Sequence, residues 1–99
     1  MKVRFLTEAD TEFREAARYY ETKVLGLGFK FIVETKRVIL LLAENPQIGK
    51  TIPENLRKVP LRRFPYDLIF SLEPDEILIV AVAHHKRRPY YWRKRLRNN

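Results

Sequence analysis

The spacing of apolar residues is helical over residues 9–42 and alternating from Leu56 onward, and that change sets a pair of helices before a run of strands in the fold. Ala9, Phe13, Ala16, Ala17, Tyr20 and Val24 step by threes and fours. They define one stripe of an amphipathic helix, with Glu8, Glu12, Arg14, Arg18 and Glu21 largely outside. Thr7 with Asp10 three later resembles a capping box, so the helix is expected to start near Glu8. Gly26 and Gly28 supply the stop and the turn. Phe31, Ile32, Thr35, Val38, Ile39 and Leu42 form the inner face of a second helix. Leu40 and Leu41 widen its apolar band, so it is expected to be the more buried of the two. Asn45-Pro46 ends it. The short link makes an antiparallel hairpin.

After a loop over residues 46–53, the period becomes two. Arg57, Val59, Leu61 and Arg63 share one face of an expected strand. Pro60 removes a backbone donor, so that strand is at an edge or carries a bulge. Tyr66, Leu68, Phe70 and Leu72 alternate with Asp67, Ile69, Ser71 and Glu73. Glu73-Pro74-Asp75-Glu76 reads as a tight turn. Ile77 to His84 is apolar on both faces and predicts a central strand. Lys2–Leu6 also alternates, and Pro89 can open a last helical turn through Tyr90–Arg95. The expected fold class is therefore α+β, in the order β-α-α-β-β-β. A helical hairpin packs on one face of a small, mostly antiparallel sheet, and a short basic C-terminal segment follows. The other sheet face has no helix to cover it. The basic segment and residues from Arg57 to Arg63 are expected to border it.

Ninety-nine residues support one domain, 1–99, because two halves of about 50 residues would each sit near the lower limit for a self-sufficient core. The absence of cysteine removes disulfides, thiolate metal sites and thiol catalysis. The start of the chain has no apolar signal-like run, and no apolar stretch approaches membrane-spanning length, so a cytoplasmic protein without a membrane role is expected.

The charge of +8 is unevenly placed. Residues 1–45 hold 8 basic and 7 acidic side chains, whereas 46–99 hold 12 and 5. The densest run, His84–Arg97, contains no acid and interleaves Tyr90, Tyr91 and Trp92 with its cations. Cations for phosphates beside rings for bases suit a nucleic-acid surface, but the same rings suit docking of the segment on its own core. His84 and His85 point to opposite faces if the strand continues, so they cannot chelate one metal together, and no metal or other cofactor is expected. Ser71, the only serine, lies mid-strand, which disfavours a serine hydrolase. A metal-free ribonuclease needs a base, an acid and phosphate-binding cations, and Arg63, His84, His85, Arg87, Arg88, Tyr90 and Tyr91 contain those group types.

The run Arg62-Arg63-Phe64-Pro65-Tyr66, a strand ending Ala81-Val82-Ala83-His84-His85, and Arg87-Arg88-Pro89-Tyr90-Tyr91-Trp92 together resemble the C-terminal half of ParE toxins of the RelE/ParE superfamily. The preceding strand–helix–helix matches the family's order. The resemblance implies a type II toxin–antitoxin system and a ParD-like antitoxin that wraps the toxin, with assembly into a higher-order toxin–antitoxin oligomer. It implies DNA gyrase as the target for the ParE branch, and ribosome-bound mRNA, cut without a metal, for the RelE branch. On the ParE reading no residue is catalytic, and Arg62, Arg63, His84, Lys86, Arg87, Arg88, Tyr90, Tyr91 and Trp92 bind the target. On the RelE reading Arg63, His85 and Tyr91 are the candidate catalytic set. His85 is followed by Lys86, not by the tyrosine of the nucleases' histidine–tyrosine pair, and the ending at 87–92 is the more ParE-like feature. A nontoxic basic nucleic-acid-binding module is a third reading.

Overall fold

The computed structural model describes residues 1–97, so the last two residues of the expected domain lie outside the described residues. The chain forms β1 (Lys2–Phe5), α1 (Thr7–Lys23), α2 (Leu27–Glu44), β2 (Lys50–Ile52), β3 (Leu56–Pro60), β4 (Tyr66–Leu72), β5 (Glu76–His84) and α3 (Arg93–Arg97). The five strands make one sheet in the order β1-β5-β4-β3-β2. Only the β1–β5 pairing is parallel. This is the expected α+β hairpin-on-sheet architecture with one strand added. β2 lies inside the segment read as a loop and pairs Lys50–Ile52 with Leu56–Lys58. Three residues are too few to show a period, so no alternation announced it.

β5 is central as expected, and Ile77–Ala83 are all buried. Its helix face carries Ile77, Ile79, Val82 and His84, in register with Leu72, Phe70, Leu68 and Tyr66 of β4. Tyr66 meets Tyr20 and Phe31 of the hairpin at ring-centroid distances of 6.3 and 5.3 Å, which identifies the covered face. The register slips between Ile69 and Phe70, which leaves Val80 as an extra residue on β5.

The inner stripes are largely as expected. Ala9, Ala16 and Ala17 of α1 and Phe31, Thr35, Val38 and Leu42 of α2 are buried. Gly28 allows the close hairpin: a Cβ there would stand 2.4 Å from the Ala17 carbonyl oxygen. Glu21 finishes the turn by accepting the amides of Gly26 (2.8 Å) and Gly28 (3.0 Å).

Several local expectations are corrected. Thr7 makes no cap; the N-cap position is Leu6, without a side-chain bond. Val24 is exposed beyond the end of α1. Leu40 and Leu41 are exposed, so the wider apolar band of α2 is surface and not core. Phe29, Val33 and Leu40 lie on one outer stripe of α2. β3 stops at Pro60, so Leu61 and Arg63 are not strand residues. Pro60 is at neither an outermost strand nor a bulge: β2 pairs only with Leu56–Lys58, so β3 itself is unpaired on that side at Pro60. The last helix starts at Arg93 and not at Tyr90, which adopts a left-handed φ of 63°.

Candidate functional site

The far face of the sheet carries Leu56, Lys58, Asp67, Ile69, Ala81 and Ala83, all out of phase with the helix-facing residues. The C-terminal segment turns back over this face. Trp92 is only 8% exposed and joins the core cluster there. Two opposed contacts hold the segment. On one side Arg93 Nε donates to Glu54 Oε1 of the β2–β3 turn at 2.7 Å. On the other, Arg95 donates to both oxygens of Glu12 in α1, at 2.8 and 2.9 Å.

Glu12 was expected on the outside of α1, but its side chain is only 14% exposed. β1 ends at Phe5, paired with Ile79, so the edge of β5 beyond that point has no strand partner. Glu12 Oε1 accepts the Val82 amide at 3.0 Å, and Arg95 donates to the Val80 carbonyl at 3.0 Å. The ion pair thus satisfies backbone groups that a longer β1 would have bound. The Tyr91 hydroxyl donates to Glu12 Oε2. Burial, and then this bond to a carboxylate, push the Tyr91 phenol well above its ordinary value. Burial alone would pull the Arg95 guanidinium down, and Glu12 more than reverses this. Arg87 stacks on the Tyr91 ring at 3.8 Å and approaches Glu12 Oε2 at 3.9 Å.

The sequence-derived candidates divide into three groups. Tyr91, Trp92 and Arg87 are engaged with the protein itself, as is Tyr90, which is exposed but has Arg93 at 5.5 Å and Trp92 at 5.8 Å from its ring. Arg63, Lys86 and Arg88 are exposed, and their side chains make no hydrogen bond or ion pair with another described residue. Arg62 is also exposed, with its amide held by Glu34 Oε2 at 2.6 Å. The histidines diverge as expected. His84 packs edge-on to Tyr66 (5.0 Å) on the helix face, and its Nδ1 accepts the Lys86 amide. His85 meets Asp67 Oδ1 at 3.1 Å, and its amide binds the Pro65 carbonyl at 2.8 Å. That bond places the Arg62–Phe64 turn beside the start of the basic segment. Arg63 sits in it at a left-handed φ of 67°.

Between the basic turn and the sheet lies a cleft of about 170 Å³. Lys58, Asp67 and Ala83 lie on its sheet side, and His85, Arg88, Tyr90 and Trp92 are among its other walls. Of the expected border from Arg57 to Arg63, Lys58 alone lines this cleft. Arg57 lies on the opposite face, donating to the Gln47 and Gly49 carbonyls at 3.1 and 3.2 Å. Lys58 takes the place by the cleft. Lys58, Asp67 and Glu12 were missed as site residues. Glu12 sits three residues from Ala9 and four from Ala16, which is core spacing; its charge hid it. Among the described residues no group of three or more His, Asp or Glu side chains is placed to hold a metal ion. Among the described residues no helix is long and apolar enough to cross a membrane.

A hairpin packed on a mostly antiparallel sheet, with a cationic C-terminal turn folded back over the far face, defines a small basic α+β domain. The family model of the ParE toxin of type II toxin–antitoxin systems, parDE, matches residues 3–89, and the chain belongs to that family. A solved structure titled as the chromosomal ParDE TA system from P. aeruginosa contains a chain that superposes with a TM-score of 0.71 at 18% identity. The match covers 85% of this chain and 95% of that one, and it shows a shared fold. A search of curated proteins gives no match.

Proposed function

We propose that this ParE-family toxin acts in the cytoplasm by binding DNA gyrase and blocking its cycle, and that a ParD-like antitoxin neutralises it. The observation that carries this reading is the exposed lip of Arg63, Lys86 and Arg88. No described carboxylate neutralises these side chains, so their charge is available to a partner. Such a surface blocks by contact and needs no chemistry of its own. The cleavage alternative requires Arg63, His85 and Tyr91 to converge on one phosphate. The Tyr91 hydroxyl is held by Glu12 and is hard to deprotonate, while His85 is held by Asp67. This arrangement favours binding over catalysis.

The exposed stripe of Phe29, Val33 and Leu40, interrupted by Lys36, suits an antitoxin segment that is amphipathic and acidic. The test is a supercoiling assay with purified toxin, relaxed plasmid, gyrase and ATP. Loss of supercoiling, relieved by antitoxin and weakened in Lys86→Ala/Arg88→Ala, is expected. Normal supercoiling by a folded, growth-arresting toxin overturns the gyrase reading and moves the weight to ribosome-dependent mRNA cleavage.

A further inference from the structure

We propose that the cleft between the far sheet face and the basic turn holds one unstacked nucleotide of a single-stranded nucleic acid. Four observations converge. The walls pair cations with an exposed ring: Lys58 and Arg88, neither ion-paired to a described residue, and Tyr90, with the largely buried Trp92 also in the lining. Cations beside π-faces are the combination that single strands select. Tyr90 is 41% exposed, and its left-handed backbone, which a tyrosine rarely adopts, places it at the surface while its neighbour Trp92 is buried. The cleft volume corresponds to about six waters, which suits a base turned out of its stack and not a duplex. Finally, Asp67 puts a carboxylate at the sheet side with one oxygen engaged by His85. A carboxylate only accepts hydrogen bonds. It therefore favours cytosine, whose N4 amino group presents donors at the base edge, over thymine, whose single N3–H donor is flanked by two carbonyl oxygens.

This rests on the proposed toxin function only for which nucleic acid the cleft meets in the cell; the binding itself is a property of the isolated chain. Trp92 is the single tryptophan, so its fluorescence reports occupancy directly. The experiment titrates the purified toxin, without gyrase, with dodecamers of deoxycytidine, thymidine and cytidine, and with a peptide of twelve glutamates. Saturable quenching by the cytosine oligomers is expected, with Kd on the order of 1–100 μM at physiological salt. Thymidine should bind more weakly. Tyr90→Leu should weaken binding about tenfold while Tyr90→Phe retains it. Lys58→Ala/Arg88→Ala should flatten the salt slope by about 1.4, at about 0.7 per lost phosphate contact. Absence of saturable quenching overturns the proposal, as does equal quenching by the glutamate peptide or an unchanged salt slope in the folded double variant. Because gyrase is absent, failure here leaves the gyrase reading standing, and failure of the supercoiling assay leaves the cleft standing.

Discussion

Replacing Glu12 should unfasten the C-terminal segment and cost the domain a large part of its stability. The carboxylate accepts the Val82 amide at 3.0 Å, two Arg95 bonds at 2.8 and 2.9 Å and the Tyr91 hydroxyl. Both members of the pair have side chains 14% exposed, so water cannot readily replace the lost partner. Breaking a buried pair from one side costs about 3–5 kcal/mol, and the residual exposure places Glu12→Ala near the lower end, at about 3 kcal/mol. For a domain this size that lowers Tm by roughly 12–24 °C, at about 4–8 °C per kcal/mol. Glu12→Gln keeps one acceptor and loses the charge, so its effect should be smaller. Thermal and urea unfolding followed by circular dichroism measure both. A double-mutant cycle with Arg95→Met isolates the pair, for which a coupling of about 2 kcal/mol is expected. Hydrogen exchange should rise first at the amides of Val82 and Trp92–Arg95. An additive cycle, or a Glu12→Ala protein whose Tm barely moves, would refute the argument that this ion pair stands in for the missing end of β1.

Three further outcomes follow from the geometry. Gly28→Ala should cost about 1–3 kcal/mol, because its Cβ would meet the Ala17 carbonyl oxygen at 2.4 Å and force the hairpin apart; Gly26→Ala has open space and should cost less, only the strain of its φ of 87°. Alkali should destabilise the fold: burial pushes the Tyr66 phenol up to about 12 and raises Tyr91 as well, so the unfolded chain ionises first and stability falls as pH rises from about 10. Stability measured against pH in Tyr66→Phe and Tyr91→Phe should show a shallower alkaline decline. Glu34 is held below its ordinary value of 4.5 chiefly by its bonds to Arg37, so its contribution is present above that pH and is lost as acid titrates it. Glu34→Gln should flatten the acid limb of the stability profile, and an unchanged limb would show that Arg37 and the Arg62 amide do not favour the ionised carboxyl.

The parts legible in the sequence are those that depend on period alone. The inner stripes of α1 and α2, the β4–β5 hairpin and the central place of β5 follow from which residues must leave water, and each recurs over several turns or pleats. β2 was not legible because three residues carry no period. Leu40 and Leu41 misled because hydrophobicity says that a side chain gains from a partner, not that the partner belongs to the same chain. Lys58 was not told apart from Arg57 because the register of β3 depends on which alternating face meets the hairpin. Val59 does not decide that alone, since both faces of β3 border something partly buried.

Glu12 shows how a site residue can be visible in outline and still be missed. Its spacing marks it as inward, and an inward glutamate needs donors. Those donors come from residues 70 to 83 positions away, so no local pattern contains them. One comparison was nevertheless available: the expected first strand is far shorter than the apolar run 77–84. When such a pair lies side by side, part of the longer strand has no partner along one edge, and its amides and carbonyls must be satisfied by side chains or remain open to another chain. Here α1 supplies the acceptor and the C-terminal segment supplies the donor. The same choice commits Tyr91, Arg87 and Arg95 to structure and leaves Arg63, Lys86 and Arg88 as the exposed charge. The division between structural and contact residues in the basic run is thus set by the length of β1, a feature at the other end of the chain.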